Sequence, residues 1–551
     1  MKTKVLGMVL VSAMIMLSCN PDDSVPNGGD EKIVINTDKE LLSARLSLTN
    51  TGVVGITSES AANAKRARIG VEEEGEIGNL PLELIAQVEA PTFEGNTLQA
   101  THVAINGDYA YVTYNTQGAK YLGAIDIFDI SNVLKPEIVS QAIFEEADLN
   151  AVDYVEGKLY IAAAVDQDGS YGVDGPANLI TVSTSNGQFT SDFEFSTVDG
   201  YVATDINHTN NNVVMVSGTD GKVTLFDKSN STIVSQVDFP DLRSVTFGQS
   251  TVFGIDQNKL FVLCGEKGIN ILNPVSLETE ITIPLSPDYS GAKRTMDVHD
   301  EALVVSEGAN GAGLYSTSNG AELQRVEIPV VSEGLLTEEI VTNAVTTNEK
   351  HLFMANGAAG VSAAAFEEDG VETLGVLDLF GSSNFVKAND EYIFVASGLQ
   401  GLQILKINLA EEINDNVCTD LPAYTGNSWV NINSGQPQGY SGSLVVDGLN
   451  VNDDFTFCGS LSVKGWANVN SNGTFNMRGS LVIGQYGQDT GLQINDTMII
   501  EGSLVIYGNL TLNSGAKLEF LGSGSSVTVY GNVWNNGATI TGDYNDTEGK
   551  L

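Results

Sequence analysis

A recurring aspartate, four histidines and two arginines at matched spacing are the residues of this 551-residue chain best suited to hold or transform a ligand. Asp153, Asp205 and Asp297 occupy one position of a repeated segment, and His102 holds that position in the first copy. Either each carboxylate pegs a nearby backbone amide, or together they form a ring of acids at one opening. Arg243 and Arg294 each stand three residues ahead of this marker position in neighbouring copies. Two adjacent guanidiniums could grip a carboxylate or sulfate through paired hydrogen bonds, or engage the chain's own acids. Asp166-Gln167-Asp168-Gly169, with Asp174 downstream, alternates carboxylates as calcium loops do, but the third acid and the distal glutamate of an EF-hand are missing. Calcium is therefore the one cofactor the sequence suggests, and a polar loop explains the same residues. His208, His299 and His351 fall in or beside turns, where a solvated role is expected. Near the C-terminus Asp447 and Lys464 share a position in adjacent repeats, which reads as an ion pair and not the two carboxylates that glycoside hydrolysis needs. The sequence contains no nucleophile elbow, P-loop, zinc motif or dinucleotide fingerprint.

Charge narrows the partners. Seventy acidic residues against 26 basic ones give a formal charge of −44, which repels nucleic acid. Of the four cysteines, Cys264 sits in an apolar run and Cys19 ends an N-terminal apolar segment. Cys418 and Cys458 remain as a candidate disulfide in an oxidising compartment.

The elements that position these groups follow from internal repeats. A short strand, a polar turn and an alternating strand recur with the marker at His102, Asp153, Asp205, Thr246, Asp297, Val345 and Val386. Most copies add a glycine turn and two further strands, giving the four-strand period of a β-propeller blade. The last copy lacks its fourth strand, and Pro81 to Val88 supplies a matching one ahead of the first, so the ring is expected to close on it. Ala124 to Asn132 (Ala-Ile-Asp-Ile-Phe-Asp-Ile-Ser-Asn), the following Lys135-Pro136 and the turn Gly398-Leu399-Gln400-Gly401-Leu402-Gln403-Ile404 resemble LVIVD-type repeats. That resemblance spans roughly Leu82 to Leu409 and implies a propeller, with little about activity.

From about Thr425 the chain turns Gly/Asn/Ser-rich and repeats Gly-Ser-Leu at Gly442, Gly459, Gly479 and Gly502. Leu444, Leu461, Leu481 and Leu504, with Val446, Val463, Ile483 and Ile506 two places on, point to one side of a strand. Stacked coils would align them as an interior ladder, the pattern of a β-solenoid. The residues between them, Val445, Ser462, Val482 and Val505, must then face outward. An exposed valine stripe is expected to pack on the propeller or another subunit.

The first residues set the address. Lys2 and Lys4 precede an apolar run, Val5 to Leu17, that is shorter than the about 20 residues needed to span a bilayer. Leu17-Ser18-Cys19 resembles the lipobox of bacterial lipoproteins, which implies acylation of Cys19. Asn20-Pro21-Asp22-Asp23-Ser24 resembles the export signal of Bacteroidetes surface lipoproteins. The expected organisation is a signal peptide (1–18), an acidic flexible tether (19–79), a propeller (80–412) and a solenoid (413–551). The reading is an all-β protein, a seven-bladed β-propeller followed by a parallel β-solenoid, held by outer-membrane lipid through Cys19 and facing outward. Its expected role is non-catalytic binding of glycan or protein ligands. The alternative is a surface polysaccharide lyase or hydrolase whose acids converge in three dimensions.

Overall fold

The structure, a computed structural model, describes residues 32–58, 79–409 and 417–551, apart from 117, 133, 253–254, 266 and 286–291. Cys19 and the expected export signal, Asn20 to Ser24, lie outside the described residues. Strands dominate; the α-helix Lys39–Ser43 has five residues.

Residues 82–407 build antiparallel sheets from sequence-consecutive strands. Gln99–Asn106, Tyr109–Asn115, Gly123–Asp129 and Glu137–Phe144 form the first, each strand bonded to the next. In the second, Glu156 and Gly157 both adopt positive φ (51° and 89°) between Ala147–Val155 and Lys158–Val165. That turn geometry matches the right-handed twist of the paired strands. Ile233–Val252 is 20 residues long and bonds Thr219–Asp227 with one half and Ile255–Cys264 with the other, fusing two four-stranded units. The ring closes where Leu82–Val88 pairs with Leu402–Ile407, Leu402 opposite Val88 and Ile407 opposite Leu82. Neighbouring sheets pack face to face through aliphatic clusters such as Val214, Val216, Leu225, Leu260 and Val262. Each such buried side chain contributes about 1.5–3 kcal/mol, which is why alternation alone specifies the packing face.

The flexible tether expected over 19–79 is corrected for its described part, 32–58. Ile33–Asn36 adds to the edge of Glu137–Phe144, Gly52–Val54 pairs with Leu82–Leu84, and Ile56–Thr57 pairs with Val376–Leu377. This segment thus belts the outer edges of three sheets and covers their unpaired backbone groups. Between its strands, Asp38 caps Lys39–Ser43 by accepting from Glu40 N and Leu41 N, and Leu42 is buried. Arg45 then fastens the belt. Its two terminal nitrogens donate to Asp126 Oδ1 and Oδ2 at 3.0 and 2.8 Å, and Asp126 is fully buried. Gln141 Nε2 also donates to Asp126 Oδ1 at 2.8 Å. The belt strands are too short for their alternation to register in the sequence.

In the C-terminal domain, Gln438–Val446, Asp454–Val463, Thr474–Ile483 and Thr497–Ile506 stack in parallel with the four Gly-Ser-Leu triplets in register. A second parallel sheet begins with Trp429–Ile432 and Gly448–Val451, and the aliphatic ladder fills the space between the sheets. Glycine is required at the stacked corner, because a Cβ on Gly479 (φ +115°) would lie 2.2 Å from Gly459 O. Asparagines form a second ladder: Asn450 Nδ2 donates to Asn431 Oδ1 at 2.9 Å, and Asn468 Nδ2 to Asn450 Oδ1 at 3.1 Å.

The outward valines are covered. Val445, Val482 and Val505 cluster with Val53 of the belt, and Leu134 of the propeller packs beside them. Val53 N donates to Gly484 O at 3.0 Å and Tyr486 N to Thr51 O at 2.8 Å. Residues 51–54 therefore lie between the propeller strand Leu82–Val88 and the solenoid, bonded to both. A disulfide joins Cys418 to Cys458 across a Cα separation of 5.8 Å, while Cys264 is buried and reduced.

Candidate functional site

The first strand of each repeat lies innermost, and its marker residue reaches the propeller axis. His102, Asp153, Asp205 and Asp297, with Thr246, Val345 and Val386, line one axial cavity of about 150 Å³. Within it the acids are already engaged. Asp205 Oδ1 accepts from Ile206 N at 2.9 Å, and Oδ2 accepts from Ser244 Oγ at 2.5 Å and Val245 N at 3.0 Å. Asp297 repeats the scheme, taking Val298 N at 3.0 Å on Oδ1 and Thr347 N at 2.9 Å on Oδ2. His102 Nδ1 faces Val152 N of the next repeat at 3.4 Å. The His102, Asp205 and Asp297 side chains thus bridge their inner strands to the next repeat, and for the two aspartates the peg and the axial lining are the same residues. Asp153 departs: one oxygen takes Tyr154 N at 2.9 Å, and the other meets His208 Nδ1 at 2.6 Å. That bond, with the carboxylate's charge, raises the His208 pKa against partial burial. Burial raises Asp205, opposed by the Lys293 charge and by its three donors. Burial, with Lys293 and Lys387 nearby, holds His102 well below the ordinary histidine range.

A wider cavity of about 420 Å³ opens on the residues that precede the marker layer. Its lining includes Gln99, Asn115, Asn150, Arg243, Lys293, Asn343 and Asn384. Asn115 Nδ2 donates to Asn150 Oδ1 at 3.0 Å, and Asn150 Nδ2 to Ala203 O at 2.9 Å. The side-chain amides of Gln99, Asn343 and Asn384 make no hydrogen bond to the described residues. Tyr201, just ahead of the lining residues Val202 and Thr204, is 72% exposed. Phe380, four residues before Asn384, is 58% exposed. Tyr121 is pushed up by burial and then by the Tyr201 phenol.

The expected arginine pair is corrected. Arg243 lines the wide mouth, its Nη2 3.1 Å from Asp241 Oδ2. Arg294 does not reach it: the side chain is buried, with Nε donating to Ser306 O at 3.2 Å. Arg294 adopts a positive φ (60°), and it is Lys293 that lines the channel instead. Lys293 Nζ donates to Thr101 O at 2.7 Å and Asn150 O at 3.0 Å, 4.9 Å from the Phe385 ring centre. Burial lowers this ammonium to about 8, with Asp205 acting against the shift. Adjacent cations at 293 and 294 are the signal in the sequence, but which of the two lines the channel shows only in the folded chain.

The acids read as a candidate calcium loop are placed as follows. Asp166 Oδ1 accepts from Asp168 N at 3.0 Å, and Asp174 N donates to Thr197 Oγ1 at 3.3 Å. Among the described residues no three His, Cys, Asp or Glu side chains are grouped to hold a metal ion. Of the turn histidines, His299 stacks on Phe366 at 3.6 Å, and His351 is buried, not solvated, which lowers it to about 4. Lys464 Nζ lies 3.5 Å from Asp447 Oδ1, an ion pair across adjacent coils.

Fold and site together define an all-β protein, a propeller joined to a parallel solenoid, with its openings on the propeller axis. No family model and no curated protein matches the sequence. Among solved structures, the chain is similar to the WD40 beta propeller domain of Doa1 (TM-score 0.39, 11% identity, 58% of this chain and 96% of that one). It is also similar to a chain of the Mitotic Checkpoint Complex (TM-score 0.43, 8% identity, 62% and 98%). The computationally designed Ika8 protein is a third (TM-score 0.37, 10% identity, 66% and 97%). At such identity nothing about ligand or activity passes from those proteins to this one.

Proposed function

We propose that this chain is a cell-surface lipoprotein that binds glycan or protein ligands without transforming them. The observation that carries the reading is the contrast between the two axial cavities. In the narrow one, Asp205 and Asp297 are each held by three donors of their own and the adjoining repeat, counting Thr346 Oγ1 at 3.1 Å on Asp297. Such acids are fixed as structural acceptors, whereas hydrolysis needs one acid and one base with unequal, mobile protons. In the wide one, open amides beside exposed tyrosine suit saccharide hydroxyls and ring faces. We read the propeller sheets as seven blades, counting Ile233–Val252 once in each of two units, and as LVIVD-type repeats of the Bacteroidetes kind. Acylated Cys19 would tether the body to the outer face of the outer membrane.

The test uses the full chain in detergent on glycan and protein arrays, followed by chromatography of the bound saccharide. The expected result is binding that falls at least tenfold in Tyr201→Ala and Asn384→Ala, with the saccharide recovered intact. Release of shorter products, lost in Asp205→Asn or Asp297→Asn, would move the function to the enzyme reading. For the anchor, Cys19→Ala should abolish detergent-phase partition, and unchanged partition would refute acylation there.

A further inference from the structure

We propose that the wide mouth takes an acidic saccharide, its carboxylate or sulfate held by Lys293 and Arg243 and a sugar ring resting on Tyr201. The inference rests on the binding reading above and names the ligand class for that site.

Its basis is a charge that runs against the rest of the molecule. A chain with formal charge −44 places both an ammonium and a guanidinium on one axial opening. Lys293 uses two of its three N–H donors on the carbonyls of Thr101 and Asn150, which are neutral acceptors. No carboxylate of the described residues lies within ion-pair distance of its Nζ. An incoming anion would supply the charge partner that the inner strands withhold, in a water-poor setting where charge-assisted bonds are strongest. Neighbouring Asn384, Asn343 and Gln99 amides can take the hydroxyls around that anion, and Tyr201, next in sequence to the lining residue Val202, offers an exposed ring.

The same geometry sets a pH dependence. Besides Arg243 at the mouth, Lys293 faces Asp205 and His102 in the marker layer, and Lys387 acts on His102 from the far side. Free Lys293 loses its proton near pH 8, and an anion bound to it favours the charged form. Affinity for the acid should therefore be full below about pH 8 and fall as pH rises past it.

The experiment titrates the full chain with three oligosaccharides of equal length: a uronate, a sulfated one and a neutral one. One or both acidic ligands should bind at least about tenfold tighter than the neutral one, the range of a charge-assisted hydrogen bond. Lys293→Met should erase that margin and Lys293→Arg should keep it, while between pH 7 and 9.5 the wild-type margin should shrink and that of Lys293→Arg should not. Thermal melts of both variants check that the ring remains folded, and Arg243→Gln, which leaves Lys293 in place, should lower the margin by itself. Which acid binds identifies the anion. Equal affinity for neutral and acidic ligands, or an undiminished margin in Lys293→Met, overturns this inference and leaves the binding function standing. No binding of any saccharide or protein overturns both.

Discussion

Replacing Arg45 by methionine should loosen the belt of residues 32–58 from the propeller. Arg45 lies on the belt and Asp126 on Gly123–Asp129, so their bidentate contact joins segments 81 residues apart. The arginine side chain is 15% exposed and the aspartate 0%. Removing one partner of such a pair strands a buried charge, at a cost of about 3–5 kcal/mol when both partners are fully enclosed. Because Arg45 keeps some contact with water, the lower end applies, about 3 kcal/mol, or roughly a hundredfold in an opening equilibrium. Gln141 still donates one bond to Asp126 and does not compensate its charge. Hydrogen–deuterium exchange resolves the effect by segment. Arg45→Met should speed exchange at the amides of 46–57 and of 123–129. Arg45→Met with Asp126→Asn, which removes the stranded charge, should restore protection at 123–129 but not at 46–57. Unchanged exchange over 46–57 in the single variant would refute the claim that this ion pair holds the belt.

Three further outcomes follow from the same structure. Gly479→Ala, with φ +115° and a backbone oxygen 2.2 Å from the new Cβ, should cost well over 1 kcal/mol in a melt, and Gly442→Ala (φ +111°, nothing within 4 Å) clearly less; equal losses would contradict the stacking argument. Val482→Asp with Val505→Asp buries two charges at the solenoid–belt contact and should increase the radius of gyration in solution scattering while the β-sheet signal persists. Its failure would mean that the valine cluster does not hold the two domains together. The bond to Asp153 raises the His208 pKa in the folded chain, so its stabilisation is complete below about pH 6.5 and is lost as pH rises through the raised value. A histidine NMR titration should place His208 above the ordinary range in wild type and return it toward that range in Asp153→Asn.

Features that repeat locally along the chain are legible in the residues, and those made by distant segments are not. The ring closure at Leu82–Val88 could be read because that strand keeps the apolar pattern of a fourth strand and fills the one gap in the count. The valine stripe was legible because Leu444 and Val446 must face one way, which forces Val445 the other. Its cover was not, since Val53 belongs to a segment whose strands span two to four residues. The marker aspartates were legible as a repeated feature, but their partners Ser244, Val245 and Thr347 come from neighbouring repeats, some 40 to 50 residues away.

By itself the sequence determined the two β architectures, because strand alternation, turn glycines and stacked triplets are local and periodic, and each repeat reports the same packing need. Tertiary structure alone decided the site. Which of Lys293 and Arg294 lines the channel is set by how this segment packs against neighbouring repeats, and the belt depends on edges that exist only once the ring has closed. The wide mouth likewise gathers Gln99, Asn150, Arg243, Lys293, Asn343 and Asn384 from six separate stretches, at offsets from the marker that differ between repeats. No periodic pattern records such offsets, because they are set by how each inner strand tilts and turns against its neighbours around the axis.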